Sequence, residues 1–271
     1  ATKTVINSTA DEVMNCCGSR YAISHPLDCL NRLDLSKKYA FIGKPCDVTV
    51  LKNYMKVNPE IEKSIVCTLS FFFFFLPSNE AQQKLLDMLK VEKSGLNYLK
   101  YRGDGWPGET TAIDCLGKQY TLDYNTTWRN FLGRDIMSAC RYCLDSIGEL
   151  ADISCGDAWY LKDNRPDFSE RPGRNVIFAR SELGCEILNQ LKDKHRIELT
   201  DMNIEEIKYS QTCHYDRRAT MSTKIFATRL MWKITPKYSA DWLKKYKNGY
   251  DIKKRFKYGL GTIKRIIQGK I

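Results

Sequence analysis

The sequence is poor in histidine and has neither a hydrophobic leader nor a long apolar run. Its 271 residues include only His25, His195 and His214, so histidine acid–base catalysis has few candidates and redox chemistry is favoured. No cationic segment leads into an apolar stretch near the N-terminus, and the longest apolar run is too short to span a bilayer. We therefore expect a cytoplasmic protein, or a piece of one.

Acidic residues are nearly absent from residues 242–271. This segment has ten Lys or Arg and a single acid, Asp251, so it supplies about +9 of the formal net charge of +11. No zinc-finger spacing or RNA-binding aromatic signature accompanies it, so we expect no nucleic-acid partner. Interleaved apolar residues such as Tyr246 and Ile263 predict an amphipathic helix that docks on a partner protein or an anionic membrane surface. A solvated terminal helix fits the pattern equally well.

Alternating strand and helix patterns predict the fold class. Three apolar runs are each followed by a capped helical pattern: 38–43 with Asp47, 64–73 with Ser78, and 175–179 with Ser181. These units predict an α/β fold with a mixed, mostly parallel sheet, flanking helices, a β-hairpin insertion at 110–122 and a helical C-terminus. We divide the chain into an α/β domain, residues 1–200, and a helical extension with a basic tail, residues 201–271.

Eleven cysteines are present, without the density of a small disulfide-linked scaffold. Cys140 and Cys143 form a C-x-x-C, a spacing that lets two thiolates of one turn bind one metal centre. The chain has no second C-x-x-C, which argues against a zinc ribbon, and the residues before Cys140 give little support to a thioredoxin-like dithiol. An iron–sulfur cluster bound by Cys46, this pair and one more cysteine, and purely structural cysteines, both remain open.

Several motifs occur in the order typical of one protein family: GSRY at 18–21, GKPCDVTVLK at 43–52, LPSNE at 76–80, YRGDGWPG at 101–108, CRYCLDSIGELADISCGDAW at 140–159 and NVIFARSELGCEIL at 175–188. Most of residues 15–195 thereby resemble the coenzyme F-420 hydrogenase/dehydrogenase beta-subunit family. The resemblance implies an oxidoreductase that passes electrons between FAD, a 4Fe-4S cluster and a deazaflavin or other acceptor, with a redox partner subunit or a small-molecule acceptor. It also implies that the family's N-terminal portion is missing.

The resemblance assigns Cys46, Cys140 and Cys143 as cluster ligands and leaves Cys155 as the nearby candidate for the fourth position. Asp157, which follows Cys155, is a candidate to position a flavin or to tune the cluster through hydrogen bonds. A capping role for this aspartate is the simpler alternative.

The FAD assignment depends on a basic, glycine-rich segment. Candidate groups for the pyrophosphate are Lys44, Arg102, Gly103 and Gly105, which offer positive charge and backbone N–H donors. Trp106 or Trp159 is a candidate to cover the isoalloxazine ring, although both also suit ordinary half-buried positions. No G-x-G-x-x-G follows a strand, so the usual dinucleotide fingerprint is absent.

The stretch SFFFFFLPS, residues 70–78, departs from the family's C-x-G-x-P-S pattern. Phe73 stands where that pattern has a cluster cysteine, and Phe75 stands where it has a glycine. Phenylalanine cannot ligate iron. Three outcomes remain open: a cluster completed by Cys155 or a non-protein ligand, a lost cluster whose cavity the rings fill, or an altered stretch in a redox-dead chain.

The expected function is therefore flavin- and iron–sulfur-dependent electron transfer. The alternative is a non-catalytic or redox-dead family member that acts as a partner protein in polysaccharide biosynthesis, since the basic tail is similar to family members from bacterial polysaccharide clusters. We assign His214, Arg217 and Arg218 to the surface or to packing.

Overall fold

The computed structural model describes residues 3–245 and 250–271. Residues 246–249, which include Tyr246 of the predicted amphipathic tail, lie outside the described residues. The strands of the described part are β1 (Tyr39–Gly43), β2 (Ile65–Phe71), β3 (Leu96–Lys100), β4 (Thr110–Asp114), β5 (Gln119–Leu122), β6 (Ile153–Asp157), β7 (Leu161–Lys162), β8 (Arg165–Pro166) and β9 (Asn175–Ala179).

The central sheet confirms the predicted mixed, mostly parallel arrangement. Its strand order is β1-β2-β6-β9, in which β1, β2 and β6 are parallel and β9 is antiparallel to β6. The carboxyl ends of the parallel strands therefore meet at one edge of the sheet, where β1 ends at Gly43, β2 at Phe71 and β6 at Asp157. In α/β folds, this is the edge at which ligands bind.

The predicted hairpin is confirmed as β4 and β5, which pair antiparallel with Thr110 opposite Leu122. β3 pairs with β4, so the insertion forms a small sheet of its own in the order β3-β4-β5. One face of this sheet packs on Leu85 and Leu89 through residues such as Ala112.

Helices cover both ends of the chain and flank the sheet. They are α1 (Ala10–Met14), α2 (Pro45–Met55), α3 (Pro59–Ser64), α4 (Asn79–Leu89), α5 (Ser138–Arg141), α6 (Glu182–Asp193), α7 (Ile204–Ser210), α8 (Thr212–Ala219), α9 (Met221–Leu230), α10 (Ala240–Lys245) and α11 (Ile252–Ile267). Short 3-10 helices occupy Pro26–Arg32 and Lys93–Gly95, and a π-helix occupies Thr126–Leu132.

Two of the three predicted helix caps are confirmed. The hydroxyl of Ser78 accepts from the N–H of Ala81 at 3.0 Å, and that of Ser181 accepts from the N–H of Gly184 at 3.1 Å. The predicted N-cap Asp47 is wrong, because α2 begins earlier, with Lys44 as its N-cap. Proline needs no hydrogen-bond acceptor for its nitrogen, so Pro45 suits the first position of the helix. Asp47 then accepts from the Lys44 N–H at 3.0 Å.

The C-terminal helices pack against the segment that carries the C-x-x-C. Tyr142, between the two cysteines, contacts Met221 and Ile225 of α9, and its hydroxyl is 2.5 Å from Thr228 Oγ1. α11 packs along α9, and its Thr262 and Ile266 are buried. Among the described residues, no helix is both long and apolar enough to cross a membrane.

Candidate functional site

The thiols of Cys46, Cys140 and Cys143 act on one another electrostatically near the carboxyl ends of the parallel strands. Cys46 lies in the first turn of α2, directly after β1, whereas Cys140 lies in α5 and Cys143 follows it. The Cys140 thiol contributes to raising the pKa of Cys46, and the Cys46 and Cys140 thiols both contribute to raising the pKa of Cys143. Electrostatic influence of this kind requires proximity. The fold therefore gathers two chain segments almost a hundred residues apart.

Cys46 is exposed at the surface, whereas Cys140 and Cys143 are partly buried. Desolvation raises the pKa of the Cys46 thiol, and it raises that of Cys143 to about 11, while the Arg217 charge opposes the rise at Cys143. The Cys143 thiol donates to the carbonyl of Asp145 at 3.0 Å, and Cys140 Sγ accepts from the N–H of Leu76 at 3.4 Å. A metal centre here must displace the thiol protons.

Cys155 has a different setting. It lies within β6, opposite Phe71 of β2 and Ile177 of β9. Burial raises the pKa of its thiol, and no other cysteine contributes to that shift. The structure therefore groups Cys46 with Cys140 and Cys143 and leaves Cys155 apart from them.

The described residues contain no preformed single-ion site. Among residues 3–245 and 250–271, no three His, Cys, Asp or Glu side chains are arranged to hold a metal ion. Thiolates around one zinc ion lie about 2.3 Å from it, whereas an iron–sulfur cluster is larger and separates its ligands more widely.

The phenylalanine run continues from the end of β2 to the C-x-x-C segment, where the Leu76 N–H contacts Cys140 Sγ. Beyond Phe71, Phe72 stacks on Phe178, Phe73 stacks on Tyr21, and Phe75 contacts Trp128. Phe72 and Phe74 both contact the His214 ring edge to face. The run then joins the segment before α5, because Met137 donates its N–H to the Leu76 carbonyl at 2.9 Å. Residues 72–76 are only partly buried, so the rings line the site without forming a sealed core.

A buried guanidinium faces the thiols. Arg217 of α8 is only 4% exposed, and its Cζ lies 3.8 Å from the centre of the Phe74 ring. Burial lowers the pKa of Arg217, whereas nearby Cys143, Cys213 and Cys140 raise it. Its Nη1 is buried without a hydrogen-bond partner. An unpaired buried donor beside three thiols suits an anionic group at this place.

Of the two alternatives for His214, Arg217 and Arg218, surface or packing, the structure supports packing, because all three are buried. His214 Nδ1 is 2.6 Å from Ser146 Oγ, and burial together with Arg217 and Arg218 lowers the pKa of the imidazole to about 3. Arg218 pairs with Glu149 at 2.5 Å. The sequence did not decide between the two alternatives, because charged residues are mostly exposed.

The predicted flavin residues form a second group around a salt bridge. Arg102 contacts Asp157 with both terminal nitrogens, at 2.8 and 3.3 Å, and Trp106 Nε1 donates to the same carboxylate at 3.0 Å. Burial alone would lower the pKa of Arg102, but the hydrogen bonds and charge of Asp157 raise it. Trp106 stacks on Trp159 with ring centres 4.5 Å apart.

The carboxylate of Glu170, a residue not predicted from the sequence, binds the backbone of the glycine-rich loop at residues 103–108. Its carboxylate accepts from the backbone N–H groups of Trp106 and Gly108. Gly103 and Gly105 have φ angles of +142° and +146°, and a Cβ at Gly105 would lie 2.3 Å from Glu170 Oε1. The loop is thus folded around an internal carboxylate.

The loop as folded does not fit a pyrophosphate. The Arg102 charge and the N–H groups of Trp106 and Gly108 already have protein partners, and the two tryptophan rings cover each other. Lys44 lies in a different place, at the start of α2, where its Nζ is 2.6 Å from Asp47 and 3.4 Å from Ser24. The structure therefore brings Arg102, Trp106 and Asp157 together and leaves Lys44 outside the group.

Comparison with known proteins agrees with this fold. Residues 36–205 match the sequence profile of a family described as the C terminus of the beta subunit of coenzyme F420 hydrogenase/dehydrogenase. Coenzyme F420 hydrogenase subunit beta of Methanococcus voltae is 23% identical over 215 residues, which are 75% of this chain and 67% of that protein.

A chain of the F420-reducing NiFe hydrogenase complex from Methanosarcina barkeri has a similar structure. Its TM-score is 0.54 at 19% identity, with 82% of this chain and 75% of that chain covered, so the likeness concerns the fold alone. The profile match spans more than half of the sequence and includes Cys46, Cys140, Cys143 and Cys155. This chain belongs to the coenzyme F420 hydrogenase/dehydrogenase beta-subunit family.

Proposed function

We propose that this chain is an electron-transfer oxidoreductase subunit that binds a 4Fe-4S cluster through Cys46, Cys140 and Cys143. In this proposal it passes electrons between the cluster, FAD and a deazaflavin, coenzyme F420, or another acceptor, together with a redox partner subunit in the cytoplasm. Membership of the family and the relative named as a coenzyme F420 hydrogenase subunit support this assignment.

One observation carries the proposal: thiols from two distant segments meet beside a buried cation. When bound, an iron–sulfur cluster supplies one-electron transfer. The part of the protein is to hold the cluster in position and to compensate its negative charge. The Arg217 guanidinium favours the thiolate over the thiol at Cys143.

The fourth ligand is the open detail of the cluster proposal. Cys155 is the family-motif cysteine that we propose for it, and a non-protein ligand is the alternative, since Cys155 lies in the strand and not with the other three thiols. The variant Cys155→Ser distinguishes these two alternatives. If Cys155 is the ligand, the variant should clearly lose iron, whereas with a non-protein ligand its iron content should not change.

FAD is proposed on the resemblance alone, and we derive no step through it from the Arg102 loop. If the flavin uses this loop, Glu170 must leave the backbone N–H groups, so Glu170→Ala should increase FAD binding. Asp104→Ala removes a mostly exposed carboxylate from the same loop and is the matched control. Equal FAD affinity in the two variants and the parent chain would place the flavin elsewhere.

Iron content tests the cluster proposal directly. We expect protein purified without oxygen to be brown and to hold about four irons per chain. Serine at position 46, 140 or 143 should remove most of this iron, whereas Cys115→Ser, in the exposed hairpin turn, should retain it. A colourless parent chain that takes up no iron during reconstitution would refute the assignment.

A second function is favoured by Phe73 at the expected ligand position. In that case the chain is a redox-dead partner protein in polysaccharide biosynthesis, and the aromatic rings replace the cluster. The basic tail supports a contact with a partner or an anionic membrane, because α11 exposes Ile252, Phe256 and Leu260 between lysines. Iron-free protein that cosediments with vesicles containing anionic lipid, but not with neutral vesicles, is the result expected for this alternative.

A further inference from the structure

The end of α9 exposes four large apolar side chains within nine residues. Phe226 and Leu230 lie four residues apart on one side of the helix and are 70% and 59% exposed. Trp232 and Ile234 follow directly after the helix and are 96% and 99% exposed. Monomeric water-soluble proteins rarely leave a large apolar patch in water, so such a patch marks a contact surface. We call residues 226–234 the α9 tip.

The α9 tip has a defined backbone. Trp232 donates its N–H to the carbonyl of Arg229 at 2.9 Å, and Lys233 donates to that of Thr228 at 3.2 Å. These two bonds form a Schellman motif, in which the residue after the C-cap takes a left-handed conformation. That residue is Trp232, with a φ angle of +56°. The turn therefore fixes the point at which the tryptophan leaves the helix.

Tryptophan is an unfavourable residue at this position of the motif. Glycine is usual there, because in the left-handed conformation a Cβ comes too close to the following carbonyl oxygen. The ring does not offset this cost by packing, since Trp232 is almost fully exposed. Neither the backbone nor the core of the chain accounts for a tryptophan here, which indicates a contact outside the chain.

The α9 tip carries only positive charge. Arg229, Lys233 and Lys237 are exposed and alternate along the chain with the apolar residues. Residues 217–240 contain no Asp or Glu, and neither does α11, which packs along α9. A binding partner that is complementary to this surface must offer negative charge beside an apolar layer.

Two features favour a lipid surface over a protein partner. Lysine is depleted from protein–protein interfaces, whereas lysine and tryptophan together are typical of the boundary between lipid headgroups and acyl chains. In addition, Trp232 and Ile234 project from the turn with almost all of their surface exposed. Projecting side chains suit insertion between headgroups better than they suit a flat protein face.

We propose that the α9 tip inserts Trp232 and Ile234 into an anionic lipid surface, where Arg229, Lys233 and Lys237 bind the lipid phosphates. The contact requires neither iron nor flavin. It rests on the membrane contact proposed above for the second function, and it assigns the insertion to the α9 tip in addition to α11.

The direct test is flotation of the chain with vesicles of phosphatidylglycerol and phosphatidylcholine, and with vesicles of phosphatidylcholine alone. We expect binding to the anionic vesicles, weakened by high salt, and little binding to the neutral ones. Ile234→Glu should weaken the binding about tenfold or more, the effect of losing one inserted apolar side chain. Leu116→Glu makes a similar change at an 89% exposed hairpin position and should bind as the parent chain does.

The possible failures are distinguishable. If the parent chain does not bind the anionic vesicles, this proposal and the membrane contact of the second function are both wrong, whereas the iron content still decides the cluster proposal. If Ile234→Glu and Leu116→Glu bind equally well, the α9 tip is excluded and the contact belongs to α11.

Trp232→Gly gives the sharper result because two measured quantities should change in opposite directions. The unfolding temperature should rise, since glycine adopts the left-handed conformation without strain. Binding to anionic vesicles should fall about tenfold. The matched control is His195→Gly, because the exposed His195 occupies the same position of a second Schellman motif after α6, with a φ angle of +51°. If the two glycine variants bind vesicles equally tightly, insertion of the tryptophan is excluded.

A second copy of the chain is the competing occupant of the α9 tip. Sedimentation without lipid should show the same oligomeric state for the parent chain and for Ile234→Glu. A dimer that Ile234→Glu dissociates, in a protein that does not bind vesicles, would assign the tip to self-association and overturn the proposal.

Discussion

The guanidinium of Arg217 lies over the Phe74 ring, with Cζ 3.8 Å from the ring centre. This contact joins α8, outside the family match, to the phenylalanine run at the end of β2. The aromatic face attracts the cation and replaces part of its lost hydration. The unusual phenylalanines and the C-terminal helices therefore belong to one site.

Arg217→Met should make a bound cluster harder to reduce. Reduction adds negative charge, which a nearby cation stabilises, so losing this cation should shift the midpoint potential to a more negative value. A redox titration followed by electron paramagnetic resonance measures the shift. Arg196→Met, at an exposed position after α6, is the control. An iron-loaded Arg217→Met protein with the parent potential would show that the guanidinium does not act on the cluster.

Phe73→Cys should make the bound iron harder to remove. If Phe73 occupies a vacated ligand position, a fourth thiolate there completes the set with Cys46, Cys140 and Cys143. The iron and sulfide that remain after anaerobic reconstitution and exposure to an iron chelator give the comparison with the parent chain. Leu116→Cys adds a thiol at an 89% exposed hairpin position and should leave iron unchanged. Equal iron in the two variants would count against the alignment of Phe73 with the family cysteine.

Asp157→Asn should destabilise the protein by about 2 kcal/mol, because it leaves the Arg102 charge partly buried without its counter-charge. The Arg102 and Asp157 side chains are 19% and 26% exposed, so solvent screening keeps the loss below that of a fully buried pair. Urea denaturation measures the free energy of unfolding. Asp163→Asn, at an exposed turn, is the matched change and should have little effect.

His214 should make stability depend on pH. Its native pKa is lowered to about 3, whereas an unfolded histidine has a pKa of about 6.5. Between these values the unfolded state binds more protons, so the His214 contribution is complete above about pH 6.5 and declines as the pH falls, by up to about 1.4 kcal/mol per unit. The free energy of unfolding at pH 7, 6 and 5 should therefore fall more steeply in the parent chain than in His214→Asn.

The control for this pH dependence is His195→Asn, since His195 is exposed. It should retain the steep decline. If His214→Asn and the parent chain lose stability in parallel between pH 7 and 5, then His214 is protonated in the native state, and the assignment of a neutral, buried imidazole is wrong.

The apolar runs and caps in the sequence were enough to predict the main strands and the hairpin. Strands at 39–43 and 175–179 follow from short apolar runs, and Ser78 and Ser181 cap their helices through contacts only three residues long. The error at Asp47 has a local cause as well, because Pro45 can begin the helix three residues earlier.

The sequence by itself determined the α/β class, the cysteine motif and the family, because these depend on residue order and short-range periodicity. Tertiary structure decided which cysteines meet, that Glu170 fills the glycine-rich loop, and that Arg217 and His214 are buried. Partners such as Arg217 and Cys143 are distant in sequence, so no local pattern records their distance. Their burial depends on how α8, α9 and α11 pack against the C-x-x-C segment.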